Sequence, residues 1–167
     1  MLASIPPGQK TFADYEKAVI DVFDYLFKGQ LGPAKPQSRT ADETQRQDIL
    51  FKNLQEGRFW RNLFHQFGSY FLIVDAKNYA DPIKPAVVDE VSKYVNEAIG
   101  RFILIVSRKG GEATIEAHQI RIFGGLAKTL VVVISDAQLL EMVQMKQEGQ
   151  FPEDLLEDAT DSLLIRR

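Results

Sequence analysis

The stretch YFLIVDAK, residues 70–77, decides how this chain is read. It opens as an apolar, β-prone run and turns polar at Asp75 and Lys77. Apolar residues at both alternating positions predict a strand buried on both faces, as in the middle of a sheet. Successive side chains of a strand point to opposite faces, so Asp75 and Lys77 share one. A carboxylate and an ammonium therefore project together where a buried strand runs out.

Working outward, RQDILFKNL (residues 46–54) predicts a second strand, with Asp48 as an acid among Ile49, Leu50 and Phe51. If the two strands pair, Asp48 and Asp75 converge on one point. Residues 32–43, rich in Pro, Ser, Thr and charge, predict a loop or the turn region of a hairpin. Residues 58–67 predict a short amphipathic helix. Downstream, Val87, Val91, Tyr94, Val95 and Ala98 share a helical face, which predicts a helix over 84–99 ended by Gly100. RFILIV (101–106) and KTLVVVI (128–134) read as buried strands, with a helix over 113–123 between them. Phe12, Tyr15, Val19, Val22, Phe23 and Leu26 predict a first helix over 12–28. Asp136 is expected to cap a helix to about residue 146, and Pro152 to open a last one over 153–164. Strands alternating with helices imply an α/β fold, a mixed and mainly parallel central sheet flanked by helices on both faces. Residues 1–10, with Pro6, Pro7 and Gly8, read as a flexible N-terminal tail, and 11–167 as a single domain.

Composition narrows the chemistry. The 167 residues carry a net charge of −3 and no cysteine, which excludes disulfides, thiolate zinc sites and cysteine nucleophiles. Two histidines, His65 and His118, are too few for a histidine-rich metal centre. A metal would have to be a hard cation held by carboxylate oxygens. The acidic balance disfavours a protein that coats nucleic acid, but an enzyme needs only a local positive face. The first ten residues lack the basic start and apolar middle of a signal peptide, and the longest apolar runs are far too short to span a bilayer. The expectation is a cytoplasmic protein with no membrane partner, or a domain of a longer chain.

Two carboxylates a few ångströms apart repel unless a cation lies between them. Mg²⁺ suits such a pair, because it takes one or two carboxylates, keeps several waters and then meets phosphate oxygens. An adjacent Lys77 would orient the attacking water or stabilise charge on the phosphate. Asp-x-Lys alone occurs by chance in many proteins as a solvated strand end. Here the buried strand before it, the second acid upstream and the helical crossover after it add weight.

These residues resemble the PD-(D/E)XK nuclease superfamily, in which an acid in one strand is followed by acid-x-Lys at the end of the next. The closer likeness is to restriction-endonuclease-like domains of the Mrr and Holliday-junction-resolvase kind. It rests on Arg46-Gln47-Asp48-Ile49-Leu50, on Asp75-Ala76-Lys77-Asn78-Tyr79 and on Val106-Ser107-Arg108, and runs from Phe12 to about Leu140. The resemblance implies a restriction-endonuclease-like three-layer fold. It implies a Mg²⁺-dependent endonuclease, with Mn²⁺ as a substitute, that hydrolyses phosphodiester bonds in DNA as a defence against foreign DNA. It also implies a glutamate on the first helix that helps hold the metal, and Glu16 is the matching residue. The metal set is then Glu16, Asp48 and Asp75, with Lys77 as the catalytic cation. The second acid is Asp where Glu is commoner in this subfamily. Relatives often carry Gln on the helix after the second strand, with a Tyr further along; Glu90 stands at about that place, and Lys93 is the alternative for the role. A homodimer and a regulatory or sensor partner are compatible with the resemblance.

For holding DNA, Arg46, Lys93, Arg108 and Tyr79 are the chief candidates, beside Lys52, Arg58, Arg61, Lys84, Lys109 and Trp60. Arg108 ends a buried strand on the side where Lys77 ends, and Tyr79 and Trp60 offer rings for stacking. The plainer reading of Arg58 and Arg61 is the charged face of an amphipathic helix. Gly110-Gly111 and Gly124-Gly125 lack the spacing of phosphate loops and read as turns. The alternative to the nuclease is a catalytically silent domain of the same fold that binds nucleic acid or a protein partner. A purely structural interaction module would instead leave the carboxylates apart in solvent.

Overall fold

The structure is a computed structural model that describes residues 2–36 and 48–166. Its centre is a mixed sheet of five strands in the order β1-β2-β3-β4-β5. These are β1 Leu31–Pro36, β2 Asp48–Asn53, β3 Phe71–Lys77, β4 Phe102–Ser107 and β5 Leu130–Ser135. The β1·β2 and β2·β3 pairs are antiparallel, whereas β3·β4 and β4·β5 are parallel. The sheet is thus evenly mixed rather than mainly parallel. The extra antiparallel pair comes from β1, which lies in the Pro-rich stretch expected as loop or turn. Pro33 and Pro36 are tolerated there because β1 is an edge strand, where a missing N–H costs no ladder bond on the open side. A register shift between Leu31 and Ala34 lets the irregular segment pair at all.

Six α-helices lie among the described residues: α1 Phe12–Leu26, α2 Arg58–Phe67, α3 Pro85–Val91, α4 Ile115–Gly124, α5 Asp136–Gln147 and α6 Glu153–Ile165. Alternation along β3 and β4 divides the core in two. Leu72, Val74, Ala76, Leu104 and Val106 face a large cluster built with α1, α2, α5 and α6. Ile73, Ile103 and Ile105 face a smaller one with Val88 and Val91 of α3 and Ile115 of α4. The three layers follow, because both faces of β3 and β4 are apolar and each must be covered.

The helix expected over 84–99 stops early. α3 ends at Val91, a single 3-10 turn covers Ser92–Tyr94, and Val95 is extended. Asn96 then accepts the backbone N–H of both Ala98 and Ile99 through its side chain, a turn that competes with further helix. Gly100 follows with φ +125, and a Cβ there would lie 2.5 Å from Ser69 Cα, so the chain passes Ser69 as only glycine can. The cap of α5 also differs from expectation. Ser135 is the N-cap, in a reciprocal capping box with Gln138, and Asp136 is the first helical residue.

Residues 2–10, within the stretch expected as a tail, lie against the domain. Short 3-10 turns cover Leu2–Ser4 and Gln9–Thr11, and Leu2 is buried in the larger cluster. Arg108 holds this segment. Its guanidinium donates to the carbonyls of Leu2 and Ile5, to Asn78 Oδ1 at 2.7 Å and to Asp136 Oδ2 at 3.3 Å. It also lies 4.3 Å from the centre of the Tyr15 ring. Tyr15 in turn donates to Asp136 Oδ1 at 2.7 Å. No helix among the described residues is long and apolar enough to cross a membrane.

Candidate active site

The site grows out of the end of β3. Ile73, Asp75 and Lys77 point to the face covered by α3, and Leu72, Val74 and Ala76 to the other. In the antiparallel register of β2 and β3, Asp48 stands directly opposite Asp75. Residues so placed share a face and have Cβ atoms roughly 5 Å apart. Both are buried, each only 3% exposed. The convergence anticipated from the sequence is therefore present.

Lys77 folds back onto Asp75. Its Nζ lies 3.1 Å from Asp75 Oδ2, and its side chain is largely buried as well. Burial pushes the Asp75 carboxyl up to about 6; Lys77 opposes the shift, and the Glu90 carboxylate adds to it. For Lys77 itself, burial works to lower the ammonium, but the Asp75 carboxylate outweighs it and the net direction is upward. Tyr79 and Glu90 act on Lys77 in that same direction.

Glu90 enters from α3. Tyr94, four residues on, donates its hydroxyl to Glu90 Oε1 at 3.2 Å. The Tyr94 hydroxyl is raised, first by burial and then by the charges of Glu90, Asp75 and Asp48. Tyr94 thus stands within the field of all three carboxylates. Glu16 sits on α1, half-buried with its Oε2 shielded from solvent. The buried face of α1 covers the opposite side of the sheet. The Glu90 carboxylate acts on both Asp75 and Lys77. The spacing of Glu90 and Tyr94 by four residues was the signal for this, since helical neighbours at that spacing meet.

Asp48 and Asp75 offer only hard oxygen donors, and burial without a second cation leaves Asp75 reluctant to ionise. That is the environment a divalent cation relieves, and Mg²⁺ needs no more than one or two protein carboxylates. Among the described residues no three acids or histidines stand close enough to form a complete cage. The fit is to an ion that keeps most of its waters.

The expected DNA contacts divide sharply. Arg46 lies outside the described residues. Tyr79 and Lys93 are exposed near the site, Tyr79 at 47%. Arg108 is largely buried and turned inward, donating to the carbonyls of Leu2 and Ile5, to Asn78 and to Asp136. A strand-end position identified it correctly as near Lys77 but could not show that a chain segment would cover it. Trp60 is wholly buried and packs edge-on against Phe27 and Phe59, so it cannot stack on a base. Arg58 is paired with Glu157 at 2.7 Å, in keeping with a charged helix face.

No protein-family profile matches the chain, and no solved structure does. The chain is similar to the transposon gamma-delta 80.3 kDa protein of Escherichia coli (strain K12), with 23% identity over 111 residues. That match covers 66% of this chain and 16% of the longer protein.

Proposed function

We propose that the chain is a metal-dependent endonuclease of the PD-(D/E)XK, restriction-endonuclease-like class that hydrolyses phosphodiester bonds in DNA. The observation that carries this reading is the register of Asp48 against Asp75, with Lys77 paired to Asp75 on the same face. The order of three antiparallel strands followed by parallel ones, with the acids at the end of β3, is compatible with that class. The name of the transposon relative is compatible with work on DNA. The resemblance alone carries the biological setting, defence against foreign DNA.

Asp48 and Asp75 would hold Mg²⁺ or Mn²⁺, which when bound supplies an activated water and neutralises charge on the phosphate. Lys77 opposes the upward shift of Asp75 and holds a positive charge where the phosphoryl oxygens gain negative charge. Glu90, anchored by Tyr94, faces the same point and can accept a proton or orient a water there. Hydrophobic Ile73, Ile103 and Ile105 beneath exclude solvent from one side of the group.

The test is cleavage of supercoiled plasmid with Mg²⁺ or Mn²⁺ by the wild type, Asp75→Ala and Lys77→Ala, matched for folding by circular dichroism. Metal-dependent nicking or linearisation lost in both variants is expected. Cleavage that survives in both would place the chemistry elsewhere. No cleavage by the wild type would favour a silent domain that only binds.

A further inference from the structure

A cavity of about 480 Å³ opens beside the site, and the nuclease reading gives it no role. Its walls include Pro7 and Gly8, Tyr79, Pro82, Lys84 and Val87. Three features define what it fits. The lining is mostly apolar and carries one half-exposed aromatic ring, Tyr79. The wall made by Pro7 and Gly8 is pinned in place. Asn78 Nδ2 donates to the carbonyls of Pro6 at 3.2 Å and Gly8 at 2.9 Å, and Gly8 N–H donates to Asn78 O at 2.9 Å. The cavity also adjoins the elements that carry the site, because its lining residues Asn78 and Tyr79 directly follow Lys77 and its lining residue Val87 lies one helical turn before Glu90 on α3.

We propose that this cavity receives one unpaired nucleobase of the DNA strand whose phosphate lies at Asp48, Asp75 and Lys77. The proposal rests on the nuclease reading and names the kind of substrate that site would prefer. A volume of this size falls within the range of small-ligand pockets and exceeds what a single base needs. Tyr79 offers a face for stacking, which works for any base because every base has a π surface. Lys84 at the rim suits the adjoining phosphate. Asp81, which also lines the cavity, opposes a phosphate inside it but not a neutral ring. An extruded base leaves its stack at a cost that is least where it is already unpaired, so the substrate would carry a bulge, a mismatch or a single-stranded segment.

The test uses the full chain without divalent metal and three fluorescein-labelled duplexes, followed by anisotropy. One is fully paired, one has a single bulged nucleotide, and one has the same bulge with an abasic residue. The abasic bulge keeps the bend and the phosphates but has no base to insert. The wild type is expected to bind the intact bulge roughly ten-fold more tightly than the abasic one, in the range of base–aromatic stacking. Tyr79→Ala, and Ala86→Trp, which fills the cavity from an exposed position, are expected to bind the two bulges alike while keeping wild-type circular dichroism. Equal wild-type affinity for intact and abasic bulges, or no binding to any duplex, would overturn the proposal. Plasmid cleavage by the wild type in Mg²⁺ separates the two claims. Cleavage with no preference for the base sinks the pocket alone, and preference without cleavage sinks the nuclease reading alone.

Discussion

Lys77 Nζ and Asp75 Oδ2 lie 3.1 Å apart, yet the carboxyl of this ion pair sits above its ordinary range, up to about 6. Desolvation outweighs the neighbouring charge because Asp75 is buried on a face otherwise lined by isoleucines. The folded chain therefore holds a proton on Asp75 to about pH 6, whereas an unfolded chain releases it near pH 4. Between those values the folded state binds more protons, so this group's stabilising share is full below pH 4 and is lost as pH rises through about 6. Lys77 stays charged throughout, and its contribution is a constant offset. From pH 4 to pH 7 the wild type should lose about 2–3 kcal/mol relative to Asp75→Asn in urea unfolding. Parallel stability curves for the two proteins would show that Asp75 ionises normally.

The neighbours of Asp75 should move its titration in opposite directions. Lys77 lowers it and Glu90 raises it. Lys77→Ala is expected to drive the Asp75 carboxyl higher, and Glu90→Gln to bring it lower. Carboxyl carbon chemical shifts followed by NMR would read both. Shifts of the same sign would mean that Glu90 does not face the pair.

Arg108 should matter for stability rather than for DNA. Its substitution leaves two backbone carbonyls, Asn78 Oδ1 and Asp136 short of a donor at a site where Arg108 and Asp136 are both largely buried. Arg108→Ala is expected to cost about 3 kcal/mol in denaturant unfolding, as for other broken buried pairs. Its DNA affinity in the folded range should stay within about two-fold of wild type, since a phosphate contact would lower both affinity and salt dependence. A reduced salt slope would return Arg108 to the binding surface.

Ser135 ends β5 and begins α5 in one residue. Its hydroxyl accepts from Gln138 N–H at 3.3 Å, and Gln138 Oε1 accepts from Ser135 N–H at 2.9 Å. Ser135→Ala should cost about 1 kcal/mol, measured as a drop in Tm, and Ser135→Asp should restore most of it. An unchanged Tm for the alanine variant would show that packing of Leu139 and Met142 alone fixes the helix.

The parts of the fold set by burial on both faces were legible in the sequence. β3, β4 and β5 are continuous apolar runs, and no other element produces such runs at that length. Asp48 was legible because an acid inside an apolar strand needs a reason, and pairing with β3 supplies one. β1 was not, because an edge strand with Gly32, Pro33 and Pro36 carries turn residues and takes its structure from β2. The length of α3 was misjudged because Val95 and Ala98 continue its apolar spacing past the point where Asn96 redirects the backbone. Arg108 shows a different limit. Sequence places a side chain at the end of a strand, but only tertiary packing tells whether water, a ligand or another stretch of chain lies over it.

The anchoring of Leu2 fixes an exit. Because Leu2 is buried and Arg108 grips the carbonyls of Leu2 and Ile5, anything joined ahead of Leu2 leaves the molecule beside Asn78, the residue next to Lys77. A fused module or a purification tag at that end would emerge beside the segment that follows β3.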